Sequence, residues 1–300
     1  MRVLPDRWFF VGVLVLMGVG WGATQPLGKI ATSTGHQPFG LMFWQLVICS
    51  LVLGALSLPR GKGIVLRRDA ITFYVVVALL GTLIPNYTFY LSVPHLQAGI
   101  MSIIISTVPM IAFVLALGLG MDRVTLGRVA GLGLGLTGVA LIALPGGNLA
   151  GGSPGWLLVA LVGPLFYAAE ATYVARFGTA GLDAVQAMFG ASVVGMVLCL
   201  PMALGTGQFF NPFAAPFGAA EWALVASSSV HAVVYASYVW LAARAGSVFA
   251  AQCSYLVTGM GVFWAMLLLG ERFSPVVWLA LVVMLSGVAL VQPRETAKAA

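Results

Sequence analysis

Ten apolar stretches follow one another along this chain of 300 residues. Each is close to the about 20 residues that a helix needs to cross a bilayer core. They run over 8–28, 38–58, 70–92, 96–119, 124–144, 154–176, 183–204, 219–243, 247–269 and 274–292. Within each, the apolar positions are continuous rather than alternating, which predicts helices and argues against a closed barrel. The connecting loops are short, so no domain outside the membrane is expected.

Polar positions interrupt this pattern unevenly. Stretches 1, 3, 4, 6, 8 and 9 are polar on one face, whereas 2, 5, 7 and 10 are nearly all apolar or glycine. In the eighth, Ser227, Ser228, His231, Tyr235 and Tyr238 follow spacings of three and four and so share a helix face. The sixth offers Tyr167 and Glu170, with Pro164 one turn earlier; Glu170 is the only carboxylate well inside any stretch. The first ends with Trp21, Thr24, Gln25 and Gly28 on one face, beside Pro26. The third places Thr82, Asn86 and Tyr90 at intervals of four, next to Pro85. The fourth adds Ser102, Ser106 and Pro109, and the ninth Ser247, Ser254, Tyr255 and Thr258.

Intramembrane polar groups usually face the bundle interior or a water-filled cavity. Each has a plainer reading as well. Serines and threonines can bond their own helix carbonyls, and tyrosines can belong to the interfacial belt. Glu170 can pair with Arg176, Arg123 or Arg244. The amides of Gln25 and Asn86 and the imidazole of His231 are harder to satisfy in lipid, which favours a cavity.

The second half of the chain repeats the first. At a constant offset of 149, Tyr90–Leu144 aligns with Val239–Pro293 without a gap. Asp122-Arg123 then falls on Glu271-Arg272, Thr125 on Ser274, and Gly138-Val139-Ala140-Leu141 on Gly287-Val288-Ala289-Leu290. The polar stretches become positions 1, 3 and 4 of each half, which points to one central cavity between the halves. A repeat of this kind is the usual sequence trace of a transporter. Two repeats of five crossings, 1–149 and 150–300, are expected. An odd number of crossings inverts the second relative to the first.

Composition agrees. The chain is 61% hydrophobic and 7% charged, with mean hydropathy +1.04, against roughly 25% charged for a soluble domain. The net charge of +6 does not imply nucleic acid, because its distribution is lopsided. Twelve of the 14 basic residues (Arg2, Arg7, Arg60, Lys62, Arg67, Arg68, Arg123, Arg128, Arg176, Arg244, Arg294 and Lys298) fall on one side of the expected bilayer. Only Lys29 and Arg272 fall on the other. This positive-inside pattern puts both termini in the cytoplasm. The N-terminal stretch has signal-peptide features, but the five-plus-five count reads it as an uncleaved helix. Cys49, Cys199 and Cys253 lie within apolar stretches and imply neither a disulfide framework nor a zinc site.

Several motif matches lose their meaning in context. Gly133–Gly138 fits G-x-G-x-x-G but lies inside an apolar helix, without the strand that a dinucleotide site requires. Gly127, Gly131 and Gly135, spaced by four, read better as a smooth face for close packing, within the monomer or between subunits. Asn86-Tyr87-Thr88 fits a glycosylation acceptor inside a stretch. Walker A, H-E-x-x-H and G-x-S-x-G patterns are absent.

The chain resembles the drug/metabolite transporter superfamily, EamA type. The resemblance rests on Trp21-Gly22, on Leu267-Leu268-Leu269-Gly270-Glu271-Arg272-Phe273-Ser274, and on Gly287-Val288-Ala289-Leu290. The first half carries a degraded counterpart in which Met121-Asp122 replaces Gly-Glu, a change expected to affect helix capping rather than chemistry. Gln25-Pro26 and Pro85-Asn86-Tyr87 resemble, more finely, the YddG-type aromatic amino acid exporters. The resemblance implies a ten-helix basket around a central cavity, with export of small metabolites across the bacterial inner membrane.

Together these readings predict an all-α polytopic protein of ten transmembrane helices in two inverted five-helix repeats. It would be an exporter of amphipathic small molecules, with aromatic and other neutral amino acids as the favoured cargo, by alternating access. Its cavity would be lined by Trp21, Gln25, Asn86, Tyr167, Glu170, Ser227, His231, Tyr235 and Tyr255. No cofactor, metal or nucleic acid is called for; the expected partners are the substrate and the bilayer. A multidrug, nucleoside or other metabolite exporter is the alternative, with Glu170 available to a cationic drug. A membrane-embedded enzyme is remoter, since His36, His95 and His231 are far apart in sequence and only His231 lies deep in a stretch.

Overall fold

The computed structural model describes residues 7–121, 123–143, 154–245 and 253–291. Ser247, Asp122 and the terminal Arg2, Arg294 and Lys298 lie outside them. No strand occurs among the described residues. Lipid offers the backbone no hydrogen-bond partner, so each crossing satisfies its own N–H and C=O groups as a helix.

The elements are α1 (Arg7–Ala31), α2 (Pro38–Ser57), α3 (Arg68–Val77), α4 (Ile84–Ser92), α5 (Ala98–Ile105), α6 (Val108–Gly118), α7 (Leu126–Ala143), α8 (Pro154–Phe177), α9 (Ala184–Gly205), α10 (Ala219–Ala245), α11 (Cys253–Leu269) and α12 (Pro275–Val291). Among the described residues, eight helical segments are long and apolar enough to cross a membrane, and α11 and α12 supply two shorter apolar helices. The start of the ninth stretch, 247–252, falls outside the described residues.

Two of the long segments are not regular helices, and proline explains both. The third crossing, Arg68–His95, passes from α3 through a π-helical turn, Ala78–Leu83, into α4. Pro85 has no N–H to offer the carbonyl of Gly81, and the ladder slips to a longer hydrogen bond, from Ile84 N to Leu79 O. The fourth crossing, Ala98–Gly118, which the hydropathy pattern reads as one helix, breaks at Ser106–Thr107 just before Pro109. The Ser106 and Thr107 hydroxyls bond the Ile103 and Ile104 carbonyls there, each at 2.7 Å.

The helices pair across the two halves of the chain. α2 lies along α9, α5 against α11, and α7 against α12. α1 contacts α10 and α11, while α8 contacts α4 and α6. The α7–α12 seam is close-packed. A Cβ on Gly287 would fall 2.6 Å from the Gly131 carbonyl oxygen and 3.0 Å from the Gly135 nitrogen. The glycine face of α7 is therefore covered within the monomer, with the exception of Gly127, which has nothing near it.

Each end of the bundle is tied by ion pairs. At one, Glu271 caps α5 across the chain, accepting from the Ala98 and Gly99 nitrogens at 2.8 and 3.1 Å. Lys29 Nζ reaches the same carboxylate at 3.1 Å and donates to the Leu96 carbonyl at 2.7 Å. The Gly-Glu-Arg turn thus serves as a helix cap. At the other end, Asp183 caps α9 through the Gln186 nitrogen at 3.0 Å and pairs with Lys62 and with Arg60, the latter at 3.2 Å. Arg67 donates to the Ala180 carbonyl at 2.8 Å.

Candidate functional site

Between these ends lies a cavity of about 50 Å³, walled by α1, α2, α4, α5, α8 and α10. That volume holds a few waters, so the cavity would have to widen to take a larger guest. Six of the nine residues singled out from the sequence line it: Trp21, Gln25, Asn86, Tyr167, Ser227 and His231. Helical periodicity brings Trp21 and Gln25 onto one face of α1, and Ser227 and His231 onto one face of α10. Pro85 and Pro164, also in the wall, sit where the third crossing and α8 approach each other.

The polar groups in this wall are only partly satisfied. The Tyr167 hydroxyl donates to Asn86 Oδ1 at 3.2 Å, leaving Asn86 Nδ2 buried with no partner. Gln25 Oε1 is likewise buried and unpartnered. An unpaired buried polar atom costs about 1–3 kcal/mol, so a donor and an acceptor without partners on two residues that line one cavity mark places for a polar guest once the cavity widens. The Tyr90 hydroxyl donates to Gln45 Oε1 at 3.0 Å, fixing the wall between α2 and α4. Ser228 bonds the Leu224 carbonyl of its own helix at 2.6 Å, so for this serine the plainer reading is the observed one.

Aromatic rings cluster on the α1–α10 side. Trp21 lies 6.1 Å from His231, 5.8 Å from Tyr235 and 5.8 Å from Tyr238, centroid to centroid. A second, smaller cavity of about 20 Å³ lies beyond His231 and Gln45, which line both. Tyr235 and Thr82 belong to this second space.

Two expected residues are placed elsewhere. Tyr255 packs against the cluster of Met110, Phe113 and Val288, away from the cavity. Glu170 lines neither cavity; it is 6% exposed and its Oε1 accepts a hydrogen bond from the Tyr235 hydroxyl. Of the arginines expected near it, Arg176 lies over Phe177 at 5.7 Å and Arg244 over Trp240 at 5.9 Å. Gln45, by contrast, lies in a stretch read as nearly all apolar, yet it stands between the two cavities. Its single amide was the signal. Phe89, Met101 and Ile104 complete the apolar wall and carry no mark that would separate them from ordinary core. Among the described residues no group of three or more His, Cys, Asp or Glu side chains is placed to hold a metal.

Known proteins share this architecture. The profile of the EamA-like transporter family matches the chain twice, over residues 8–144 and 154–292. A protein of Streptantibioticus cattleyicolor described as a probable terminal-alkyne amino-acid exporter is 26% identical over 289 residues, covering 95% of this chain and 93% of its own. A crystal structure superposes with a TM-score of 0.65 at 17% identity, covering 95% of this chain and 96% of the other, a likeness of fold alone.

Proposed function

We propose that this chain, which belongs to the EamA-like transporter family and is a multi-pass membrane protein, exports aromatic and other neutral amino acids by alternating access. The carrying observation is the pairing of unpartnered polar atoms with ring faces on residues that line one cavity. Gln25 Oε1 is an open acceptor suited to an ammonium, and Asn86 Nδ2 an open donor suited to a carboxylate. Trp21 and Tyr167 offer flat apolar surface to an aromatic side chain, and His231 and Ser227 extend the polar rim. The relative from Streptantibioticus, itself described as an amino-acid exporter, supports this cargo class.

The helix pairs support an arrangement in two repeats. Exchanging the first five crossings with the second five maps the α1–α11 contact onto α8–α6 and the α1–α10 contact onto α8–α4. The pairs α2–α9, α5–α11 and α7–α12 map onto themselves. Rocking of one half against the other would open the cavity to each side in turn. With the basic loops inside, both termini lie in the cytoplasm, and the natural setting is the bacterial inner membrane.

A cationic drug is the less favoured cargo, because the intramembrane carboxylate that would attract it does not line the cavity. The test is uptake of radiolabelled tryptophan into proteoliposomes containing only this protein, with phenylalanine as competitor. Saturable, competed uptake is the expected result. Uptake no faster than in empty liposomes, from folded and inserted protein, would remove the amino-acid assignment.

A further inference from the structure

The export reading leaves Glu170 without a task, although a carboxylate in a bilayer is costly to keep. We propose that Glu170 is a proton-binding site reached through the Tyr235 hydroxyl, and that its charge sets the contact between α8, α10 and the π-helical turn of the third crossing. The link from this site to cargo rests on the export reading; the site itself does not.

Its surroundings are unusually specific. Tyr235, on α10, donates to Glu170 Oε1. On the opposite side the carboxylate presses on the π turn: a Cβ at Gly81 would fall 2.5 Å from Glu170 Cδ and Oε2. Glycine is thus required at 81 for the carboxylate to sit there, and the π turn is where the crossing is least regular. Such turns recur at functional sites in helices. Three tyrosines interact with Glu170: Tyr167 on its own helix, and Tyr235 and Tyr238 on α10. His231 stands one turn from Tyr235, with ring centroids 5.6 Å apart. From the third crossing come Gly81 and Thr82, and α9 presents Met188, Ala191 and Ser192 to the space that Tyr235 lines.

Geometry selects a proton over a larger cation. Glu170 lies behind Tyr235 and Gly81, outside both cavities, so a cargo ammonium has no approach to it. Tyr235, however, lines the smaller cavity, whose volume suits about one water. A proton relayed from solvent onto a water there can pass to the phenol oxygen as the phenol gives its own proton to Glu170 Oε1, and neutral water is left behind. The net product is a neutral carboxylic acid and an unchanged tyrosine; the reverse transfer releases the proton. As a carboxylate, Glu170 accepts a charge-assisted hydrogen bond that ties α10 to α8. As a neutral acid it makes a bond about half as strong, and no longer sets a charge against the π-turn backbone. The two charge states therefore favour different fits of α8 against its neighbours.

The test is infrared difference spectroscopy of purified protein during a pH titration, which needs no cargo. We expect a neutral-carboxyl band that appears on acidification, is lost in Glu170→Gln, and shifts its midpoint in Tyr235→Phe. Gly81→Ala keeps the carboxyl but sets a methyl group against it, and should also move the midpoint; it serves if Glu170→Gln fails to fold. In proteoliposomes, an imposed pH gradient should speed tryptophan uptake several-fold in wild type and leave the Glu170→Gln rate unchanged. A Glu170 carboxyl that stays ionised, or stays neutral, at every pH where the protein is folded overturns the proposal. So does a folded Glu170→Gln that no longer binds tryptophan, since the carboxylate would then be a cargo ligand. Wild-type protein that shows the titrating band but no tryptophan uptake would strike the amino-acid reading and leave the proton site standing.

Discussion

Asn86 does two jobs with one amide. Its oxygen holds the Tyr167 hydroxyl in place, and its nitrogen is buried without a partner beside the cavity that Asn86 lines. Asn86→Leu should lower kcat/KM for tryptophan by roughly ten- to a hundredfold, the worth of a hydrogen bond to a charged group, with insertion unchanged. Tyr167→Phe should cost less, since it removes only the support. The double variant His231→Ala with Tyr167→Ala should abolish most transport; wild-type rates from well-expressed double variant would remove the cavity as the site. Gln25 and Asn86 were legible in the sequence because a side-chain amide in lipid demands a partner. Tyr255 was misplaced, because helical spacing says which residues share a face but not what that face meets. In the fold, it meets Met110, Phe113 and Val288.

Among elements, α7 and α12 show how far a glycine pattern can be trusted. Gly287 sits against backbone of the facing helix, whereas a methyl group placed on Gly133 would meet nothing within 4 Å. Gly287→Ala should therefore destabilise the protein by about 1–3 kcal/mol through overpacking. Gly133→Ala should be neutral or stabilising by up to about 1 kcal/mol, from helix propensity. Thermal unfolding in detergent separates the two; equal melting temperatures would mean that the seam is not close-packed. The same contrast explains what was visible in advance. Spacing by four announced a smooth face, but only the partner helix determines which of its glycines are needed. By contrast, the hydropathy pattern read the third and fourth crossings as single helices, and the π turn before Pro85 and the break before Pro109 came to light only in the fold. Glu170 fills the gap at Gly81, while Ser106 and Thr107 satisfy the carbonyls at the break.

For the whole molecule, alternating access requires each tied end to open in turn. Lys62→Cys paired with Asp183→Cys, and Lys29→Cys paired with Glu271→Cys, should each stop transport when joined by a reducible bis-thiol cross-linker and restore it when the linker is reduced. Transport persisting through either cross-link would argue against rocking between the halves. The Asp183 tie also carries a pH dependence. Burial pushes its carboxyl up, but the Lys62 ammonium, the Gln186 N–H and Arg60 more than offset this, holding it below the usual carboxylate range. Its contribution to stability is therefore fully present above about pH 4, the unfolded carboxylate value, and is lost as pH falls through the lower folded value. Acid titration of wild type against Asp183→Asn should show the difference between them vanish at the acid end.

The sequence by itself determined that this chain lives in lipid, that its crossings are helical, and that the pattern of 90–144 recurs at 239–293. Those conclusions rest on composition, hydrophobic continuity and a gapless repeat, which local physics reads without knowing any contact. It also singled out six of the residues that line the cavity, because polar groups in an apolar stretch must face something other than lipid. Only the tertiary structure decided that Gln45 joins that wall, that Tyr255 leaves it, and that Glu170 stands behind it against Gly81. Those outcomes depend on how helices rotate and approach one another, and the side chains that set such rotations lie far apart along the chain.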